Sequence, residues 1–329
     1  VTDPAPLLQG FFTDRLARQK NASPHTVAAY RDTFRLLLTF AHQQTGRPPS
    51  TLSVADLDAA LVGAFLHYLE HQRGNSSATR NARLAAIHSL FRYAALRAPE
   101  HAAVISQVLA IPPRRHGRAI VSYLTPAETD ALLAAPDRAS WHGRRDHALL
   151  LLTVQTGLRV SELTALTCQD LHLGAGPHVR CHGKGRKDRA TPLTGQTVAV
   201  LKPWLAELEQ AADSPLFPTR TGSALSSDAV ERLLTKHTTT AQARCPSITQ
   251  KNVTPHTLRH TAAMSLLRAG VDTSVIALWL GHETTETTQI YLHADMTIKE
   301  QALARVQPPD TSPGRYRPPD SLLTFLTAL

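Results

Sequence analysis

Cysteine is scarce in this sequence: Cys168, Cys181 and Cys245 are the only three in 329 residues. They are too few and too scattered for a disulfide framework or a cysteine-based zinc site. They read as reduced thiols, as is usual for a cytoplasmic protein. No apolar run approaches the length of a membrane span, and the N-terminus lacks a basic start followed by an apolar signal core. The expectation is a soluble cytoplasmic protein with no membrane partner. No internal repeat or low-complexity tract appears before the C-terminal tail. Acidic side chains are the minority charge, 26 against 35 Lys and Arg, for a formal net charge of +9 and an isoelectric point near 9.8. That balance favours a polyanionic partner such as nucleic acid. Most of the cations are Arg, which suits bidentate phosphate contacts. With 42% hydrophobic residues, the chain can build the cores of two domains.

Residues 1–99 read as an all-helical unit with helices over about 4–19, 24–44, 56–72 and 77–97. Ser23-Pro24 is a start signal, Gly46-Arg47-Pro48-Pro49 a stop, and Gly74-Asn75-Ser76 a turn before the last helix. In that helix Leu84, Ile87, Leu90 and Phe91 recur on one face, whereas Arg80, Arg83 and Arg92 lie elsewhere. Apolar side inward and basic side outward suits a small domain lying on a DNA backbone; a solvated basic face is the plainer reading. Residues 100–120 are expected to be a basic linker containing Pro112-Pro113, Arg114, Arg115, His116 and Arg118. Such a strip can cross a duplex backbone between two clamping domains, or it can be a soluble connector. No additional DNA-binding module is expected ahead of the helical unit.

A second domain is expected over 121–306. It opens on the capping-box pattern Thr125-Pro126-Ala127-Glu128. Gly157 stops one helix, and a new one follows in which Arg159 and Glu162 stand at i,i+3. A buried carboxylate there would hold the guanidinium in one orientation and leave its other edge for a ligand; an isolated pair reads equally as a surface ion pair. Val179 to His182 and Ala190 to Leu193 look like two strands joined by a glycine-bearing basic turn, which can lay Lys184 into a groove or, taken alone, can be a solvated turn; Arg186 and Lys187 on it are candidate DNA contacts. The turn is not a nucleotide-binding P-loop, because the first glycine and the Lys-Ser/Thr ending are missing. Ser226 to Thr239 reads as a further helix.

The stretch from Thr254 to Tyr291 concentrates phosphate-compatible groups. Thr254 caps a helix that starts at Pro255, which puts His256 and Arg259 in its first turn, where free N–H groups favour an anion. A second helix, Thr273 to Leu280, ends at Gly281, with His282 next and Tyr291 nine residues later. His256 and His260 have the i,i+4 spacing of a zinc pair, but no glutamate follows His256, so no metal and no other cofactor is expected. His260 reads as a structural residue packing or hydrogen-bonding near the site. Tyr291 in isolation would read as a core tyrosine.

Taken in order, TGLRVSEL (156 to 163), HGKGRKDRATPL (182 to 193), HTLRH (256 to 260), LGH (280 to 282) and Tyr291 resemble the tyrosine recombinase, or phage integrase-like, family. The resemblance covers most of the chain. It implies a mainly α fold with a small antiparallel β-sheet in the catalytic domain: a helical SAM-like core-binding domain and a catalytic domain forming a C-shaped clamp. It also implies that Arg159 and Arg259 grip the scissile phosphate and that Tyr291 is the nucleophile. Lys184 would protonate the departing 5′-hydroxyl, His256 would act in proton transfer as base to the tyrosine, and His282 would donate a hydrogen bond to the phosphate. Glu162 would orient Arg159. The implied partners are double-stranded DNA with inverted-repeat core sites and further copies of the chain or related recombinases, assembled on DNA as dimers or tetramers.

The chemistry is sound independently of the resemblance. In-line attack on a phosphodiester gathers negative charge on two non-bridging oxygens, which two fixed guanidiniums stabilise. A phenol of ordinary pKa about 10 must lose its proton as it attacks, and the poor leaving group must gain one. The expected activity is site-specific strand cleavage and rejoining in recombination, integration or transposition of a mobile element. Xer-like resolution of chromosome or plasmid dimers, a type IB topoisomerase and a non-catalytic DNA-binding regulator are the alternatives. The tail, 307–329, carries proline pairs and ends in the apolar SLLTFLTAL. It is expected to dock, in trans, on a neighbouring protomer.

Overall fold

Short polar side chains start most helices. The first, α1 (Pro4–Gly10), runs on into a wider π-helical stretch, Phe11–Gln19. Ser23, Asp58 and Ser76 then each accept a first-turn backbone N–H, from Thr26, Leu61 and Thr79, and begin α2 (Pro24–Thr45), α3 (Ala59–His71) and α4 (Ser77–Ala94). Such caps contribute about 1 kcal/mol each. In this computed structural model, residues 4–115, 121–182, 188–208, 211–282, 288 and 291 are described, and the chain divides into two units, Val1–Arg118 and Ala119–Leu329.

The core of the first unit joins Phe11, Phe34, Leu37, Phe65 and Leu69 to Leu84, Ile87, Leu90 and Phe91 of α4, as the helical spacing of α4 requires. Two expectations need correction. Part of the expected connector is a helix, α5 (Ala102–Leu109), whose Ile105 and Val108 are buried in the same core. Arg80 does not face outward; it is only 7% exposed, and its guanidinium donates to the carbonyl of Pro112 and to Asn81 Oδ1. Asn81 in turn exchanges hydrogen bonds with the backbone N–H and carbonyl of Arg114. Residues 112–114 are therefore fastened to α4, and the inward pull on Arg80 comes from carbonyls that a helix side chain alone cannot reveal.

The second unit begins with α6 (Pro126–Leu133), α7 (Trp141–Thr156) and the short α8 (Val160–Ala165). An antiparallel sheet of order β1-β2-β3 follows, built from Leu171–His172, His178–His182 and Asp188–Pro192. Its register pairs Val179 with Thr191 and Cys181 with Arg189. Then come α9 (Gly195–Leu208), α10 (Ser227–Ala241), α11 (Pro255–Arg268) and α12 (Thr273–Leu280). The nearly continuous apolar run of α7, with Ala148, Leu149, Leu150 and Leu152 all buried, is explained by its place in the middle of the main core. Helix α11 packs beside α7, and this neighbourhood brings residues a hundred positions apart into one site.

Two buried polar knots brace this unit. Asp146 accepts from Arg145 and from His237 Nε2 at 2.8 Å, tying α7 to α10. Glu128 accepts from the Thr125 N–H, Ser247 Oγ and Lys251 Nζ, tying the start of α6 to the segment before α11. Burial alone would raise the Glu128 carboxyl, but the hydrogen bonds from Lys251, Thr125 and Ser247 outweigh it and bring it down from 4.5 to about 2. The folded value lies below the unfolded one, so the stabilisation is complete above about pH 4.5 and is lost as pH falls through about 2. Glu128→Gln is expected to lose on the order of 3 kcal/mol at neutral pH and to flatten acid unfolding over that window, as read by urea midpoints against pH.

Candidate active site

Gly157 and Gly281, both in the left-handed region (φ +64° and +65°), end α7 and α12 and so fix where the next residues start. A Cβ on Gly157 would lie 2.6 Å from Leu280 Cδ2, and one on Gly281 would lie 2.8 Å from Arg189 Nη1. The two helix ends and the β3 arginine thus approach one another as only glycine allows.

Arg159 follows that first turn as the N-cap of α8, one position ahead of the helix it was expected to lie in. Its backbone N–H donates to Glu162 Oε2 and its Nη1 to Glu162 Oε1, both at 2.8 Å, while its Nη2 donates to the carbonyl of Gly281 at 2.8 Å. Arg259, 3% exposed on the first turn of α11, donates to the carbonyls of Gly157 at 2.6 Å and Leu280 at 2.7 Å. The two guanidiniums therefore converge on the consecutive carbonyls of Leu280 and Gly281, beside His282. Burial and then the Arg159 charge bring Arg259 down to about 10.

Glu162 is 5% exposed, which excludes the surface ion pair. It also binds a second cation: Arg189 Nη1 and Nη2 reach its two oxygens at 2.9 and 2.7 Å. Burial would raise this carboxyl, but the Arg189 hydrogen bonds, the Arg159 N–H and the Arg189 charge together hold it below the usual range. Arg189 was not singled out from sequence. Its signal is the two-residue period of β3, which puts Arg189 and the buried Thr191 on the same inward face of the sheet as their partners Cys181 and Val179.

The two histidines on that side of the site are uncharged at neutral pH. His282 is brought down to about 4 by burial and then by Arg259, Arg159 and Arg189, and its Nδ1 lies 2.8 Å from Thr288 Oγ1. His260 is also brought down to about 4, by burial, His256 and Arg259. His256 is exposed at the head of α11 and is held below the ordinary imidazole range by partial desolvation and by Arg259 and Arg159. Tyr291 is 1% exposed and packs among Ala263, Met264, Leu267, Ile276 and Leu280. Its hydroxyl meets His260 Nδ1 at 3.0 Å, so the residue bonded to it is His260 and not His256. Burial raises the phenol, with the Arg259 charge opposing.

Arg159, Glu162, His256, Arg259, His282 and Tyr291 are thus brought together, whereas Lys184, Arg186 and Lys187 lie outside the described residues. Of the other candidate DNA contacts, Arg83 is half-buried and pushed down by desolvation, Arg114 pairs with Glu70 at 3.3 Å, and Arg115 is exposed. No helix among the described residues is long and apolar enough to cross a membrane.

Residues 122–297 match the phage integrase family, and residues 10–98 match the phage integrase N-terminal SAM-like domain. A Sinorhizobium fredii protein that carries the name integrase/recombinase y4rC is 55% identical over 99% of this chain and 98% of its own length. The tyrosine recombinase XerC of Pelobacter propionicus is 32% identical over 92% of this chain and 95% of its own length. In fold, the chain resembles the XerH site-specific recombinase bound to palindromic difH substrate (TM-score 0.67, 24% identity, 87% of this chain and 81% of that one). It also resembles the Tn1549 transposon integrase in complex with circular intermediate DNA (TM-score 0.68, 16% identity, 93% and 100%). With both of its regions matched and relatives spanning nearly its whole length, the chain belongs to the phage integrase family of tyrosine recombinases, enzymes that cleave and rejoin DNA strands.

Proposed function

We propose that this chain carries out site-specific DNA recombination through a 3′-phosphotyrosyl link on Tyr291, for integration or transposition of a mobile element. The observation that carries the reading is the convergence of Arg159 and Arg259 on the carbonyls of Gly281 and Leu280, beside His282. A bound phosphodiester would offer its two non-bridging oxygens in exchange for those carbonyls, and these are the atoms on which in-line attack concentrates charge.

In the reaction the Tyr291 oxygen bonds to phosphorus, the bond to the 5′ oxygen breaks, and the 3′ side remains on the tyrosine. Lys184, which falls between β2 and β3 in the sequence, gives the departing 5′ oxygen its proton, and His256 receives the phenolic proton. With the Thr288 hydroxyl donating to Nδ1, His282 keeps its N–H on Nε2 for a phosphate oxygen. Glu162 holds Arg159 in register. Attack by another strand's 5′-hydroxyl reverses these steps, and because the phosphotyrosine retains the bond energy no high-energy cofactor is needed.

The helical unit through α5 would serve as the core-binding domain, with Arg83, Arg114 and Arg115 on the DNA backbone and Arg80 held inside. Arg186 and Lys187 would flank Lys184 on the duplex. Inverted-repeat sites would assemble copies into dimers and tetramers, the tail of each copy, 307–329, docking on its neighbour. The 32% identity to XerC supports dimer resolution as a second reading, and the 55% identity to y4rC favours the first.

The test uses nicked suicide duplexes tiled across the DNA flanking the coding sequence. Covalent adducts carrying a free 5′-hydroxyl are expected to form in EDTA as fast as without it, because the guanidiniums supply the charge that a cation would. A strict divalent-metal requirement for cleavage would count against the mechanism.

A further inference from the structure

His260, His256 and Arg259 share one end of α11, yet only His260 among them meets the tyrosine. Its Nδ1 lies 3.0 Å from the Tyr291 hydroxyl, and the rings stand edge to face with centroids 5.5 Å apart. Along the same helix Ala263, Met264 and Leu267 repeat at helical spacing, and with Ile276 and Leu280 of α12 they enclose the phenol ring. Helix α11 therefore presents an apolar trough with the His260 Nδ1 acceptor at its head. A phenol seated there is only 1% exposed, with its ring centroid 6.4 Å from that of His282.

We propose that His260 is a positioning residue: it parks Tyr291 as a buried, protonated phenol from which the nucleophile must be released before it can attack DNA. The inference rests on the reading of Tyr291 as the nucleophile. The chemistry favours parking over deprotonation. His260 is a base held near 4, and burial pushes the phenol above its ordinary 10, so the proton remains on oxygen. The phenol O–H donates to Nδ1, and the imidazole keeps its own proton on Nε2. An uncharged, hydrogen-bonded pair is also what an apolar trough accommodates at least cost, whereas a phenolate–imidazolium pair would have to be desolvated there. His256 lies one turn away on α11, ring centroids 5.3 Å from His260, and would take over the phenol once Tyr291 has left His260.

The test compares the full-length wild type with His260→Leu, which removes the acceptor, and His260→Asn, which keeps one near the Nδ1 position. DNA-free protein is nitrated with tetranitromethane, and modification of the Tyr291 peptide is followed by mass spectrometry. Thermal melting of each variant checks folding, and His260→Gln, which displaces the acceptor, gives the same reading if leucine is not tolerated. Tyr291 nitration is expected to rise about 2- to 10-fold in His260→Leu, the net effect of one lost hydrogen bond, and to stay near wild type in His260→Asn. Adduct formation on suicide DNA is expected to be faster in His260→Leu. Unchanged Tyr291 nitration would overturn the inference, as would a fall of about 10² or more in adduct rate, which would make His260 a general base. Failure of the parent reading looks different: adducts would survive Tyr291→Phe whatever the nitration pattern.

Discussion

Tyr291→Phe is expected to abolish covalent attachment to DNA while leaving non-covalent binding intact. The substitution removes one oxygen, and a phenylalanine ring fills the same trough between α11 and α12. The cost to stability is the unpaired acceptor left on His260 Nδ1, about 1–3 kcal/mol at most, because the ring can turn toward water. The cost to chemistry is total, since the phosphorus has lost the atom that attacks it. Denaturing gels of suicide-substrate reactions read the adduct, and native gel shifts on the same duplexes read binding. Arg159 and Arg259 are untouched, so phosphate recognition survives in the second assay.

Glu162→Ala is expected to have the second largest effect, and on two quantities at once. The carboxylate receives four hydrogen bonds, from the Arg159 N–H and Nη1 and from both terminal nitrogens of Arg189. Removing it leaves the largely buried Arg189 guanidinium beside that of the half-buried Arg159 with no carboxylate between them. Breaking a buried pair from one side costs about 3–5 kcal/mol, seen as a lower urea midpoint. Arg159 also loses the contact that aims it, and a misplacement on the order of 1 Å is worth about 10² in rate. Glu162→Gln keeps the shape but not the charge, so it should fall between Glu162→Ala and wild type in both assays. An alanine variant with unchanged adduct rate would remove Glu162 from any orienting role.

Much of this architecture is legible in the sequence because local rules carry it. The caps at Ser23, Ser76, Thr125 and Thr254 and the stops at Gly157 and Gly281 follow from backbone groups that must be satisfied wherever the helix sits. The residues missed depend on distant partners. Arg80 turns inward because the carbonyl of Pro112, thirty-two residues on, is there to receive it. Helix α5 was hidden by the basic, proline-bearing residues that follow it, although Ile105 and Val108 stand at helical spacing and bury in the first core. Arg189 read as one more cation of a basic turn; only the pairing of β2 with β3 turns it toward Glu162. The partner of the Tyr291 hydroxyl was equally out of reach, since two histidines one turn apart on α11 differ only in which of them faces the trough.

The most direct measurement is the identity of the residue joined to DNA. Wild-type protein is trapped on a suicide duplex, the adduct is digested with protease, and the nucleotide-bearing peptide is sequenced by mass spectrometry. The expected result is a peptide linked through Tyr291 to a 3′-phosphate. A link through any other residue, or through a 5′-phosphate, would contradict the mechanism.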